Sequence, residues 1–91
     1  MRKITLDGNK MKNKEDVHHY LKEELQIKEY YGNNLDALWD ALISYDLPMK
    51  IRLIHYPEMI KNLGDYGHAL INVFRDAEIV NTNFELEILK K

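Results

Sequence analysis

Two aspartates four positions apart, Asp36 and Asp40, are the side chains most suited to chemistry in this chain, and Trp39 stands between them. On a helix, residues at this spacing share one face. Paired carboxylates can exchange protons as general acid and base, or they can bind a cation such as a guanidinium group. Catalysis needs a pocket for its substrate, and we expect a convex helix face here. Because we expect no pocket beside the two aspartates, the pair favours binding over catalysis.

The segment around these aspartates is one-sided in charge. From residue 29 to residue 49 it has no lysine or arginine, although the chain has 13 basic residues in all. The acidic residues of this segment are Glu29, Asp36, Asp40 and Asp46. Such a window attracts a cationic partner. The net charge of −2 argues against general affinity for nucleic acid, which needs clustered lysine and arginine.

The sequence gives little support for a nucleophilic, metal or phosphate-binding site. The chain has no cysteine, which excludes disulfides, thiolate nucleophiles and sulfur-ligated metals. His18 and His19 are adjacent and would point about 100° apart on a helix, so they do not form a metal pair. The sequence has no glycine-rich phosphate loop, and Ser44 is its only serine. We expect neither a metal nor a cofactor.

Three short runs alternate between apolar and polar residues, which is the period of a half-buried strand. They begin near residues 3, 49 and 84. Their apolar positions are Ile4, Leu6, Met49, Ile51, Leu53, Phe84, Leu86 and Ile88. The polar positions between them should face water.

Helical apolar patterns fill the two gaps between these runs. The first gap has one pattern at Val17, Tyr20, Leu21 and Leu25, and another at Leu35, Leu38, Leu42 and Tyr45. We expect Asn13 to cap the first helix, Asn33 or Asn34 to cap the second, and Pro48 to stop it.

The second gap predicts a short helix and a longer one. Pro57 suits the first turn of the short helix, which should end near Gly64. The longer helix should run to about Ile79. The order strand, two helices, strand, two helices, strand is that of a parallel sheet with right-handed crossovers. We predict an α/β fold in two layers, with a three-stranded parallel sheet in the order 1-2-3 and about four helices on one face. Residues 1–91 should form one domain.

The side chains of the second helix divide into a core arc and an outward arc. Asp36, Asp40 and Ile43 fall on the outward arc, opposite the leucines. Trp39 lies on the border, so its ring can pack on the body of the protein with one edge exposed. An aromatic ring that excludes water beside a carboxylate is typical of binding hot spots. The alternative interpretation is a solvated helix face with Trp39 in the core.

The loop before this helix reads Tyr-Tyr-Gly, from Tyr30 to Gly32. We expect Gly32 to take a positive φ and to bring backbone amides and a tyrosine ring beside the acidic residues. Tyr31, more than Tyr30, should be buried with its hydroxyl bonded to the backbone.

The segment from Tyr30 to Asp40, Tyr-Tyr-Gly-Asn-Asn-Leu-Asp-Ala-Leu-Trp-Asp, resembles the signature of the barstar family, intracellular inhibitors of small secreted ribonucleases such as barnase. The resemblance spans nearly the whole chain and implies a three-stranded parallel sheet with helices on one side. It also implies that Asp40 enters the ribonuclease active site where a substrate phosphate would sit and engages catalytic arginines and a histidine. Inhibition would then be occlusion with phosphate mimicry.

The outward arc and the resemblance together predict a partner-binding site. Its residues are Tyr30, Gly32, Asn34, Leu35, Asp36, Trp39, Asp40, Ile43, Tyr45, Asp76 and Val80. The chain departs from the family pattern at Tyr45, where the family has a second interface tryptophan, and at Val80, where it has a glutamate. The loop between Tyr45 and Pro48 is one residue shorter. These departures leave the identity of the partner open.

We therefore expect a cytoplasmic protein, monomeric when free, that binds one small basic barnase-like ribonuclease one-to-one and is not an enzyme. The amino terminus lacks the apolar run of a signal peptide, and no stretch is long enough to cross a membrane. Two alternatives remain. The same scaffold could be a binding or immunity module for a different basic protein or nuclease toxin. Asp36 and Asp40 could instead be catalytic, which a structure without a cleft beside them would exclude.

Overall fold

The structure, a computed structural model, describes residues 1–27 and 31–91. In that part of the chain the strands are β1 (Arg2–Asp7), β2 (Met49–Ile54) and β3 (Phe84–Ile88). The α-helices are α1 (Lys14–Glu24), α2 (Leu35–Ile43), α3 (Tyr56–Leu63) and α4 (Asp65–Val80), and a 3-10 turn (Gly8–Lys10) follows β1. Among the described residues, no helix combines the length and the apolar character needed to span a bilayer.

The strands form a parallel sheet in the order β1-β2-β3. Ile4 lies opposite Ile51, and Ile51 lies opposite Leu86, so the apolar positions of the strands share one face. On the other face, Arg52 Nε lies 2.8 Å from Glu87 Oε1 on the neighbouring strand. The predicted α/β fold class, strand order and charged outer face are therefore confirmed.

The helices cover the apolar face of the sheet and close one core with it. Leu6, Ile51 and Leu53 of the sheet are buried. The helical side chains buried in the same cluster are Val17, Leu21, Leu38, Leu42, Met59, Leu70, Phe74 and Ala77. Each fully buried side chain of this size contributes roughly 1.5–3 kcal/mol of transfer free energy. Because every helix contributes to the cluster, the helices lie on one side of the sheet.

Local sequence signals set where the helices begin. Asn13 Oδ1 accepts a hydrogen bond from the Asp16 amide at 2.9 Å, and Asn34 Oδ1 accepts one from the Ala37 amide at 2.8 Å. Each bond satisfies an amide that the first turn of a helix leaves without a backbone partner. Pro57 lies in the first turn of α3, where its missing amide costs nothing. The predicted cap at Asn13 and the role of Pro57 are confirmed.

The end of α2 differs from the sequence prediction. The apolar pattern predicted a helix through Tyr45 that Pro48 would stop, but α2 ends at Ile43. The side-chain amide of Asn81, just after α4, donates to the carbonyl oxygens of Leu42 and Tyr45, each at 2.9 Å. Carbonyl groups at the end of a helix need such partners. Because the side chain of Asn81 supplies these partners, α2 can end several residues before Pro48.

Candidate functional site

Asn34 fixes the loop before α2 to the helix itself. While its Oδ1 caps α2, its Nδ2 donates to the carbonyl oxygen of Gly32 at 3.2 Å. The positive φ predicted for Gly32 is wrong, since the left-handed residue is Asn33, with φ 54°. Asparagine tolerates this region better than most residues. A Cβ at Gly32 would lie 3.2 Å from Asn34 Nδ2, so a glycine here allows the close approach of Asn34.

A buried histidine anchors the same loop to the body of the protein. Tyr31 is buried as predicted, but its hydroxyl is bonded to His18 Nδ1 at 2.6 Å and not to backbone. His18 Nε2 is bonded to the Tyr66 hydroxyl at 2.5 Å. A neutral imidazole donates from one ring nitrogen and accepts at the other, so it can serve both hydroxyls. This His18 cluster (His18, Tyr31 and Tyr66) joins α1, the loop and the start of α4.

On α2 the carboxylates separate from the apolar side chains. Asp36 and Asp40 are exposed, whereas Leu38 and Leu42 are buried. Trp39 is half-buried and packs against the core. Part of its ring therefore remains at the surface next to the carboxylates. Asp36, Trp39 and Asp40 are called the acidic face below.

A groove of about 810 Å³ runs along Asp36 and Asp40, between α2, its leading loop and the end of α1. The expectation of a convex face without a pocket is therefore wrong. Asp36, Asp40 and Asp46 line the groove with Arg2. The Arg2 guanidinium donates to the carbonyl oxygens of Leu25 at 3.1 Å and Glu24 at 3.0 Å, where it meets the negative end of α1. The described lining thus has a carboxylate excess that suits a cationic side chain.

The groove is better suited to binding than to acid-base catalysis. Its described lining contains neither histidine nor lysine. Asp36 and Asp40 are both exposed, whereas a catalytic carboxyl usually has a buried environment that tunes its protonation. Among the described residues, no group of three or more histidine, aspartate or glutamate side chains could hold a metal ion.

The remaining predicted site residues differ in how much surface they offer. Leu35, Ile43 and Tyr45 are half-buried and pack against the core. Asp76 and Val80 are exposed on α4. Tyr30 lies outside the described residues. Of the predicted site residues on α2, Asp36 and Asp40 line the groove, whereas Leu35, Trp39 and Ile43 are not in its described lining. Asp76 and Val80 lie on α4, which packs beside α2.

Sequence reasoning missed the role of His18, although a signal was available. His18 lies three positions before Leu21, on the inward side of α1, and both are buried. A histidine on a buried stripe needs partners for both ring nitrogens. His19, by contrast, is exposed and pairs with Glu23 one turn later, at 2.9 Å, a pairing that the sequence analysis also overlooked.

The folded protein should lose stability as the pH falls below about 6.5. Burial lowers the pKa of His18 in the folded state from its ordinary value of 6.5, so the unfolded chain binds a proton at higher pH than the folded one. The contribution of His18 is therefore complete above the unfolded pKa and is lost as the pH falls toward the lowered folded pKa. Urea unfolding at about pH 7.5 and about pH 5.5 measures the difference.

The variant His18→Gln tests the assignment of this pH dependence to His18. The substitution should reduce the difference between the two pH values, because it removes the buried imidazole. An unchanged pH dependence in His18→Gln would contradict the assignment.

Comparison with known proteins supplies an independent line of evidence. Residues 1–89 match the family model described as "Barstar (barnase inhibitor)". The chain is also similar to a protein of Bacillus subtilis (strain 168) named "Putative ribonuclease inhibitor YrdF", with 40% identity over 79 residues. The aligned region covers 86% of this chain and 87% of that protein. The family match includes every helix and strand described above.

Proposed function

The chain belongs to the barstar family, and from this we propose that it inhibits a small basic extracellular ribonuclease by covering the active site of that enzyme with the acidic face. The family description is that of an inhibitor, in agreement with the prediction that the chain is not an enzyme. The observation that carries the proposal is the pair of exposed carboxylates, Asp36 and Asp40, beside the half-buried Trp39 and along a groove rich in carboxylates.

Asp40 is the residue proposed to take the position of a substrate phosphate. A ribonuclease holds the phosphodiester anion with cationic side chains, and a carboxylate offers the same charge and comparable acceptor oxygens. Leu38 and Leu42 are buried, so α2 presents Asp40 from a rigid support and little conformational entropy is lost on binding. Trp39 would exclude water from the contact and strengthen the ion pair. Occlusion alone then blocks RNA, without chemistry by the inhibitor.

The carboxylates also favour rapid encounter with a basic enzyme. Asp36, Asp40 and Asp46 all line the same groove. A concentration of one sign of charge raises the association rate with an oppositely charged partner, and the effect weakens with added salt. We propose that long-range attraction sets the association rate and that the desolvated Asp40 contact sets the dissociation rate.

Further contacts are proposed on both sides of the acidic face. They are Tyr30, Gly32, Asn34, Leu35, Ile43, Tyr45, Asp76 and Val80. Asn34 has a second role, because it holds the loop and the start of α2 together. The complex would be one-to-one, with an inhibitor that is monomeric when free and that protects RNA in the cytoplasm of the producing cell until the enzyme is exported.

A second candidate function keeps the same surface and changes the partner. The apolar Val80 is exposed on α4, where the resemblance led to the expectation of a carboxylate. A different basic protein, such as an unrelated nuclease toxin, could require that apolar contact.

Addition of the purified protein should stop RNA cleavage by a barnase-like ribonuclease at one equivalent of inhibitor. The assay is a titration of the enzyme on a fluorogenic RNA substrate, with calorimetry for stoichiometry. The doubly neutralised variant Asp36→Asn/Asp40→Asn is the matched control, and the protein alone should leave RNA intact. Absence of binding to several basic microbial ribonucleases at low salt would favour the second candidate.

A further inference from the structure

Besides Met1, three large apolar side chains are exposed at the end of the molecule where β1 and β2 begin. They are Leu47, in the loop after α2, at 60% exposure, and Ile79 and Val80, at the end of α4, at 79% and 59%. Isolated exposed apolar residues are common and need no explanation. Three that come from two segments at the same end of the molecule call for a physical account.

Hydrogen bonds hold these two segments against each other. Asn81 Nδ2 donates to the carbonyl oxygen of Tyr45 at 2.9 Å, and the Met49 amide donates to the carbonyl oxygen of Asn83 at 2.9 Å. The two bonds bracket Leu47, so the loop that carries it runs beside the residues that follow Val80. Leu47, Ile79 and Val80 are called the apolar rim below.

The apolar rim lies at the C-terminal end of α2, whose earlier turns carry the acidic face. Asn81, directly after Val80, donates to the carbonyl oxygens of Leu42 and Tyr45 at that end of the helix. Asp46, beside Leu47, is exposed, and Asp76, one helical turn before Val80, is exposed as well. Two copies of this chain that met through the rim would bring these carboxylates together, which disfavours self-association. A cationic partner meets no such penalty.

We propose that the apolar rim is part of the binding surface and that the ribonuclease carries an apolar patch beside its cationic active site at the matching position. This inference rests on the proposed function and adds a chemical requirement on the partner. The carboxylates bind the cationic site, and the rim adds contact area whose strength does not depend on salt. Selectivity among basic ribonucleases would then follow from whether an enzyme carries such a patch beside its cationic site.

The test compares the double variant Ile79→Ser/Val80→Ser with Leu89→Ser. Leu89 is also an exposed apolar residue, at 37%, but it lies beyond β3, at the end of the sheet opposite the start of β2. Stopped-flow association and dissociation are measured with catalytically inactivated barnase and several other inactivated basic microbial ribonucleases, at low and at physiological salt. Thermal unfolding establishes that the variants remain folded.

For a ribonuclease that the wild type binds, the rim variant should dissociate about tenfold faster at every salt concentration, with association nearly unchanged. Leu89→Ser should behave as the wild type. Val80→Glu should also dissociate faster at every salt concentration. If the wild type binds and the rim variant dissociates at the same rate, the apolar rim is not a contact, and the proposed function still holds. Faster association of Val80→Glu at low salt, without faster dissociation, would likewise contradict the proposal that the apolar rim contacts the ribonuclease.

Two further outcomes concern other occupants. A dimer of the free protein that depends on Ile79, observed by sedimentation, would make the rim a self-association surface and overturn the inference. Binding of the wild type to none of the ribonucleases would overturn the proposed function, and the inference with it.

Discussion

Asp40→Ala is expected to weaken the complex with the target ribonuclease by at least about 2 kcal/mol, or about 30-fold in Kd. Asp40 is exposed in the free protein but would be desolvated against arginine in the complex. Loss of its carboxylate leaves the buried cations of the enzyme without a partner, which costs more than the contact itself contributes. Asp36→Ala and Trp39→Ala should also weaken binding.

The matched control for Asp40→Ala is Glu85→Ala. Both substitutions remove one negative charge from an exposed position, but Glu85 lies on the solvent face of the sheet, away from α2. Calorimetry at physiological salt should therefore give a near-normal Kd for Glu85→Ala. Equal losses in the two variants would mean that net charge, and not a specific contact, drives binding.

Folding stability separates a contact residue from a structural one. Because Asp40 is exposed, Asp40→Ala should change the free energy of unfolding by less than about 0.5 kcal/mol. A large fall in melting temperature with unchanged affinity would identify Asp40 as a structural residue and contradict its proposed role.

His18→Leu is expected to lower the free energy of unfolding by about 2–3 kcal/mol, the largest effect we expect on folding. The substitution fills the buried site with an apolar side chain but removes the two ring nitrogens that bond the hydroxyls of Tyr31 and Tyr66. A buried hydroxyl left without a partner costs about 1–3 kcal/mol. Tyr31 is buried, whereas Tyr66 is half-buried and can bond water instead, so most of the cost should come from Tyr31.

Urea unfolding of His18→Leu, His19→Leu and Tyr66→Phe measures this effect. His19→Leu alters an exposed neighbour on the same helix and should change stability little. Tyr66→Phe removes one hydroxyl and should cost less than His18→Leu. Since Tyr31 is in the loop that leads into α2, His18→Leu should also weaken ribonuclease binding, and His19→Leu should not. A stable His18→Leu variant with normal affinity would show that the His18 cluster neither supports the fold nor holds the loop.

The sequence alone was sufficient for the features that depend on neighbours a few residues apart. The strand runs near Ile4, Ile51 and Leu86 were predictable because alternation reports which face of a strand is buried. The cap at Asn13 was predictable because the side chain bonds an amide three positions later. The outward position of Asp36 and Asp40 followed from helical periodicity in the same way. The order 1-2-3 places both right-handed crossovers on one face of the sheet, and the charged alternate positions of the strands supported that order.

Only the tertiary structure decided the features that join distant segments. The ring nitrogens of His18 bond hydroxyl groups 13 and 48 positions away, and Asn81 bonds the carbonyl oxygen of Leu42, 39 positions earlier. No local pattern encodes such pairs, because any polar side chain can satisfy a buried partner once packing brings the two together. The groove beside Asp40 likewise forms between α2 and the end of α1. The groove exists because of the distance between these two elements. Packing in the core sets that distance, and the hydrophobic periodicity of the sequence carries no information about it.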